Sequence, residues 1–258
     1  MIYELENTQA AAGLFGGWQE TMIRSCLQKV MGRILVTDPT APESAVAAVG
    51  CFAFAAGKPD RELALAEPEG LAIMVPQNGA WAALIEGCRP DARKYTRYAI
   101  RKDTTFDAAA LRRMAGGLPA GYELKAIDAG LYDLCLQDPV TADFVSAFGS
   151  RDRYLSLGRG MVILKGGRIV SGASSYTRYR EGIEIEVDTV PEERRKGLAG
   201  IACASLILRC LDEGLYPSWD AHNRDSVRLA EKLGYKLDHE YTAYELPDRE
   251  RIHQPGRA

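Results

Sequence analysis

The sequence predicts an α/β fold of the α+β type, with a mixed, mostly antiparallel sheet flanked by helices. Three observations lead there. Apolar runs flank Gly166-Gly167, and two glycines between such runs supply a tight hairpin turn, which makes the flanking strands antiparallel neighbours. Two later segments, 197–213 and 223–233, read as helices and are followed by Gly214 and Gly234. Strands and helices do not alternate strictly, as a doubly wound parallel sheet would require.

Taken in order, residues 8–32 read as mainly helical, because Leu14, Trp18, Met22, Cys26 and Val30 recur every fourth position. Strand-like runs follow at 33–37 and 45–56, divided by a Pro-containing turn, and a short apolar strand at 71–75. Residues 80–87 read as a helix ended by glycine, and 93–101 as a basic, aromatic strand. Three glycines and a proline then fall within 116–121 and interrupt both periodicities. A domain boundary is placed there, with a turn inside one continuous sheet as the alternative. It separates an N-terminal α/β lobe, 1–118, from a second domain, 119–250. The second half reads as strand 122–126, helix 129–137, a helical stretch 141–157 broken at Gly149, and the hairpin 161–165 with 168–179. Strand 183–190, helix 197–213, short strand 217–220, helix 223–233 and a last strand 235–246 complete it.

Composition narrows the function. The chain has 258 residues, 47% hydrophobic and 26% charged, enough for a sizeable core in one or two domains. A net charge of −3 lacks the excess of Lys and Arg that binds nucleic-acid backbones or membrane surfaces. The acidic start, Met1-Ile2-Tyr3-Glu4-Leu5-Glu6, is unlike a secretory signal, and the longest apolar run, 45–56, falls short of the roughly 20 residues that span a bilayer. A soluble, cytoplasmic protein is expected. The six cysteines are scattered, and the three histidines, His222, His239 and His253, show no ligand spacing. Reduced thiols and no metal site follow.

The densest chemistry lies at Arg194-Arg195-Lys196-Gly197-Leu198-Ala199, between the alternating run 183–190 and the helix ending at Gly214. A helix start offers backbone N–H groups without intrahelical partners and a partial positive charge. Gly197 allows a bulky anion to approach the backbone, so the turn suits a diphosphate.

With Pro191-Glu192 before it, this run resembles the acyl-CoA motif Arg/Gln-x-x-Gly-x-Gly/Ala of the GNAT N-acetyltransferase superfamily. A second block is similar to the family's next motif: Asn223, Ser226 and Leu229-Ala230-Glu231-Lys232-Leu233-Gly234-Tyr235. The resemblance covers roughly the C-terminal half. It implies a GNAT fold and acetyl-CoA as co-substrate. Backbone groups of Arg194, Arg195, Lys196, Gly197, Leu198, Ala199 and Gly200 would cradle the pyrophosphate. Val187 and Thr189 would meet the pantetheine arm and the acetyl carbonyl. Asn223 and Ser226 would line the same arm, although Asn223 also suits a helix N-cap.

Direct transfer to an amine needs a base. Glu184, Glu186 and Asp188 share one strand face and are the candidates, with Glu186 chosen as nearest the cofactor turn; a solvated face is the competing reading. The family's thiolate-protonating Tyr is replaced by Ala230. Tyr235, Tyr176, Tyr179, Ser226 and water remain as sources of that proton, and His222 as a further base. Trp219 is read as core. The two-lobed order, with Trp219-Asp220-Ala221-His222-Asn223, is similar to the zwittermicin A resistance type. That likeness implies an N-terminal lobe that is a degenerate relative of the same fold and helps wall the acceptor pocket. The expected activity is acetylation of a primary amine on a small molecule. Acylation of a protein or peptide amine and a non-catalytic acyl-CoA-binding module are the alternatives. No nucleic-acid or membrane partner is expected, and a homodimer is left open.

Overall fold

The computed structural model describes residues 1–247, so His253 and positions 248–250 of the second expected domain lie outside the described residues. The chain forms two compact units.

The first unit comprises, among the described residues, Met1–Arg97 and 240–247. It opens with β1 (Tyr3–Glu4), a 3-10 turn (Thr8–Phe15) and α1 (Thr21–Leu27). The single helix expected over 8–32 is thus two pieces, parted at Gly16-Gly17, where Gly17 has φ 77°. Then come β2 (Arg33–Val36), β3 (Ser44–Val49), β4 (Phe52–Gly57), α2 (Arg61–Ala64), β5 (Ile73–Pro76), α3 (Gly79–Cys88) and β6 (Arg93–Ile100). The one strand expected over 45–56 is a hairpin, because Gly50 takes φ 55° and Val49 pairs with Phe52. β1 to β4 are successive antiparallel neighbours, and β5 joins β4 in parallel. Leu35, Val46, Leu63, Met74, Trp81 and Ile85 pack in one apolar cluster.

The second unit is Tyr98–His239. After α4 (Ala108–Ala115) come β7 (Tyr122–Ala126), α5 (Ala129–Cys135), α6 (Pro139–Ala142) and α7 (Arg151–Leu157). Next are β8 (Gly160–Lys165), β9 (Arg168–Tyr179) and β10 (Gly182–Thr189), then α8 (Leu198–Asp212), β11 (Tyr216–Ser218), β12 (Asp220–Ala221), α9 (Arg224–Lys232) and β13 (Leu237–Glu245). A five-stranded sheet runs β11-β10-β9-β8-β7, antiparallel except where β11 joins β10 in parallel. The predicted hairpin across Gly166-Gly167 is present, with Lys165 opposite Arg168.

α8 holds this unit together. Leu198, Ile201, Leu206, Ile207 and Cys210 are buried in one cluster with Ile183, Ile185 and Leu111. Each leucine and isoleucine among them contributes about 1.5–3 kcal/mol by leaving water. Leu111 brings α4 into this cluster, so the loop 116–121 connects α4 to β7 inside the second unit. The chain passes between the units at Arg97–Tyr98, within β6, and returns at His239–Glu240, within β13. Among the described residues, no helix is long and apolar enough to cross a membrane.

Candidate functional site

At the start of α8 the backbone turns through two left-handed residues, Arg195 (φ 61°) and Gly197 (φ 81°). Gly197 occupies the N-cap position, without a side-chain cap. Among the described residues, no acceptor engages the N–H groups from Arg195 to Gly200. Six consecutive donors therefore surround the positive end of a 15-residue helix. Nothing lies within 4 Å of where a Gly197 Cβ would stand, so this face is open. Successive N–H groups around left-handed residues form a concavity that binds anions.

The basic side chains of the turn divide. Arg194 folds back over the end of β10: its Nε donates to the Thr189 carbonyl at 2.9 Å, and its guanidinium lies 3.5 Å from Asp188. Lys196 donates to Glu193 at 2.6 Å. Arg195 is exposed and makes no ion pair among the described residues. Glu193 itself is buried and also accepts from Lys165 at 2.8 Å and from the Tyr122 hydroxyl at 2.5 Å. These hydrogen bonds, with Lys165 first, push its carboxyl down to about 2.

β10 and β11 pair only from Gly182–Tyr216 to Glu184–Ser218. Beyond that row β12 pairs with Tyr98 and Ala99 instead. The two strands part, and among the described residues β10 keeps a strand neighbour from Ile185 to Thr189 only on its β9 side. The β9–β10 register slips at Glu184/Ile185, leaving Tyr176 as the extra, bulged residue.

The three carboxylates of β10 meet three environments. Glu184 is 3% exposed, with Oε2 4.0 Å from the Lys102 ammonium, which donates to the Trp219 carbonyl at 2.7 Å. In its cross-strand row stand Thr177 and Ser218, whose buried hydroxyls have no hydrogen-bond partner among the described residues. Glu186 is half-buried and accepts the N–H of Val187 at 3.2 Å. Asp188 faces Arg194 and lies close enough to Asp143 to matter electrostatically. The Asp143 carboxyl is pushed up, first by burial and then by the charge of Asp188. Val187 packs on the α8 cluster, and the Thr189 hydroxyl is 2.7 Å from that of Ser171.

On the α9 side, Asn223 caps the helix through Oδ1, accepting from Ser226 N at 2.9 Å. The Ser226 hydroxyl accepts from Trp219 Nε1 at 3.1 Å, and Trp219 is core. Ala230 is fully buried in the same apolar cluster as Trp219, Val227 and Leu233. Tyr235 donates to the Pro217 carbonyl at 2.6 Å, and burial raises its phenol well above the usual value. Tyr179 is buried, and its hydroxyl donates to the Tyr216 carbonyl at 3.5 Å. His222 and His239 are exposed, and His239 pairs with Asp238. No cluster of three or more His, Cys, Asp or Glu positioned for a metal occurs among the described residues. Sequence reasoning passed over Lys102, Tyr122, Lys165 and Glu193. Only the Lys165-Gly166-Gly167-Arg168 turn, with a cation on each side, hinted at them.

A family model described as GNAT acetyltransferase matches residues 12–244, well beyond the C-terminal half that carried the sequence resemblance. The structure is similar to a GCN5-related N-acetyltransferase-like protein from Streptococcus suis 89/1591, with TM-score 0.89 and 49% identity over 93% of this chain and 98% of that one. A GCN5-related N-acetyltransferase from Kribbella flavida shares the fold at TM-score 0.54 and 17% identity, over 96% of this chain and 98% of that one. The uncharacterized N-acetyltransferase YdfB of Bacillus subtilis (strain 168) is 33% identical over 129 residues, which span 49% of either chain.

Proposed function

Because this chain belongs to the GNAT acetyltransferase family, we propose that it is an acetyl-CoA-dependent N-acetyltransferase acting by direct attack on a primary amine of a small cytoplasmic molecule. The observation that carries this reading is the run of open N–H groups from Arg195 to Gly200, beside the unpaired edge of β10. These residues fit coenzyme A: the donors are backbone, the helix end is positive, and the adjacent strand edge offers polar backbone groups.

When bound, acetyl-CoA supplies an acyl group activated for attack as a thioester. The N–H groups at the start of α8 hold the diphosphate, with the exposed Arg195 guanidinium alongside. The N–H groups of Val187 and Thr189 donate to the Glu186 and Asp188 side chains; released from them, they would orient the pantetheine arm and the acyl carbonyl, where a donor stabilises developing charge. Asn223 spends Oδ1 on its cap and keeps its NH2 group as a donor to the same arm. Glu186 takes the proton of the amine. It is half-buried where β10 has left β11, whereas Asp188 faces Arg194 and Glu184 is enclosed beside Lys102. With Ala230 lacking a hydroxyl and Tyr235 and Tyr179 turned to backbone carbonyls, the departing thiolate draws its proton from Tyr176, Ser226 or water.

A thiol-release assay with acetyl-CoA and a panel of amines and peptides tests the reading. Turnover with a small amine is expected, and Glu186→Gln lowers kcat by about 100-fold while leaving acetyl-CoA affinity within about twofold. Tight binding with no turnover would favour the non-catalytic module that Ala230 suggests. Absence of acetyl-CoA binding would overturn the proposal.

A further inference from the structure

The two carboxylates that precede the open turn are each tied to the tip of the β8–β9 hairpin. Glu192 accepts from Arg168 at 2.9 Å, and Arg168 also reaches Asp138 at 3.2 Å. Glu193 accepts from Lys165 at 2.8 Å, Tyr122 at 2.5 Å and Lys196 at 2.6 Å. Lys165 and Arg168 are cross-strand partners on either side of Gly166-Gly167, so one tight turn presents both cations side by side. Lys165 also lies over the Tyr122 ring, 5.2 Å from its centroid. Two residues beyond Glu193 the chain enters the left-handed Arg195, a conformation that costs an L-residue about 1–2 kcal/mol and persists only where neighbours enforce it.

We infer that Glu193 is a positioning residue for the cofactor turn: with Lys165 and Tyr122 it braces the start of α8, and it holds Lys196 as a strut instead of a phosphate ligand. The inference rests on the acetyl-CoA reading above and deepens it. The brace aims backbone N–H groups at the diphosphate. Lys196 adds its charge while staying on Glu193, because withdrawing it would remove one of three hydrogen bonds from a buried carboxylate.

The alternative, that Glu193 merely sequesters a phosphate-binding Lys196, predicts the opposite sign. Under the brace, Glu193→Gln weakens acetyl-CoA binding about tenfold; under sequestration it tightens it. Lys165→Met weakens binding likewise, Lys165→Arg restores it, and the Glu193→Gln/Lys165→Met double variant loses less than the sum of the singles. S-acetylpantetheine, which lacks the diphosphate, binds wild type and Glu193→Gln equally in an NMR titration; a general loss of structure would weaken both ligands. Since the Glu193 carboxyl is depressed from 4.5 to about 2, the stability it brings is complete above pH 4.5 and is lost as pH falls toward 2. The difference in thermal midpoint between wild type and Glu193→Gln therefore narrows over that interval. Equal or tighter acetyl-CoA binding by Glu193→Gln, beside a wild type that binds, would overturn the brace alone. Failure of the wild type to bind would instead overturn the cofactor reading.

Discussion

Gly197 shows how much one residue decides here. Its φ of 81° lies where only glycine rests without strain, and the space before it is open. Gly197→Trp should abolish acetyl-CoA binding in calorimetry while the far-UV spectrum stays native, since the new ring meets no protein atom at its root. Wild-type affinity in that variant would remove the backbone cradle from the argument. The residue types of the candidate site were legible in the sequence: Gly197, the basic run, Asn223 as a cap and Trp219 as core are local features, and Ala230 in place of a tyrosine follows from the family resemblance. Which partner each carboxylate of β10 meets was not legible. Alternation puts Glu184, Glu186 and Asp188 on one face equally, and only Lys102 and Arg194, brought in by the fold, tell them apart.

The elements that carry the candidate site are β10, β11, α8 and α9, and a strand or helix was expected at each. The hairpin over Gly166-Gly167 and the helix ending before Gly214 stand where expected. Misreadings fell where glycine cut a run that looked continuous, at Gly17 and Gly50, or where a segment too short for a periodic pattern, such as α2, was passed over. What parts β10 from β11 was not readable, because it is a third strand, the end of β6, that takes β12. The row where these strands still pair is tight. A Cβ on Gly182 would collide with the Tyr216 carbonyl and the Tyr179 hydroxyl. Gly182→Ala is therefore expected to destabilise the protein by about 1–3 kcal/mol, measured by denaturant unfolding. An unchanged unfolding midpoint would mean that β11 moves aside without cost.

At the scale of the whole chain, the two units divide at Arg97–Tyr98 and His239–Glu240, while the richest cluster of glycine and proline, at 116–121, is a loop inside the second unit. Buried apolar surface decides this, and Leu111 of α4 lies in the α8 cluster. A fragment of residues 98–239 should unfold cooperatively in a thermal scan, whereas 119–239, stripped of α4 and of the β6 strand end that pairs with β12, should not; equal cooperativity in both would refute that division. The sequence alone determined the fold class, the family resemblance and the glycine-containing turn proposed to bind an anion, because glycine conformations, helix starts and strand alternation are properties of a few consecutive residues. Tertiary structure decided where the units part, which partners each carboxylate of β10 meets and which side chains surround Glu193. Those depend on strand register and burial, which bring Tyr122, Lys165 and Glu193 together from three separate places in the chain.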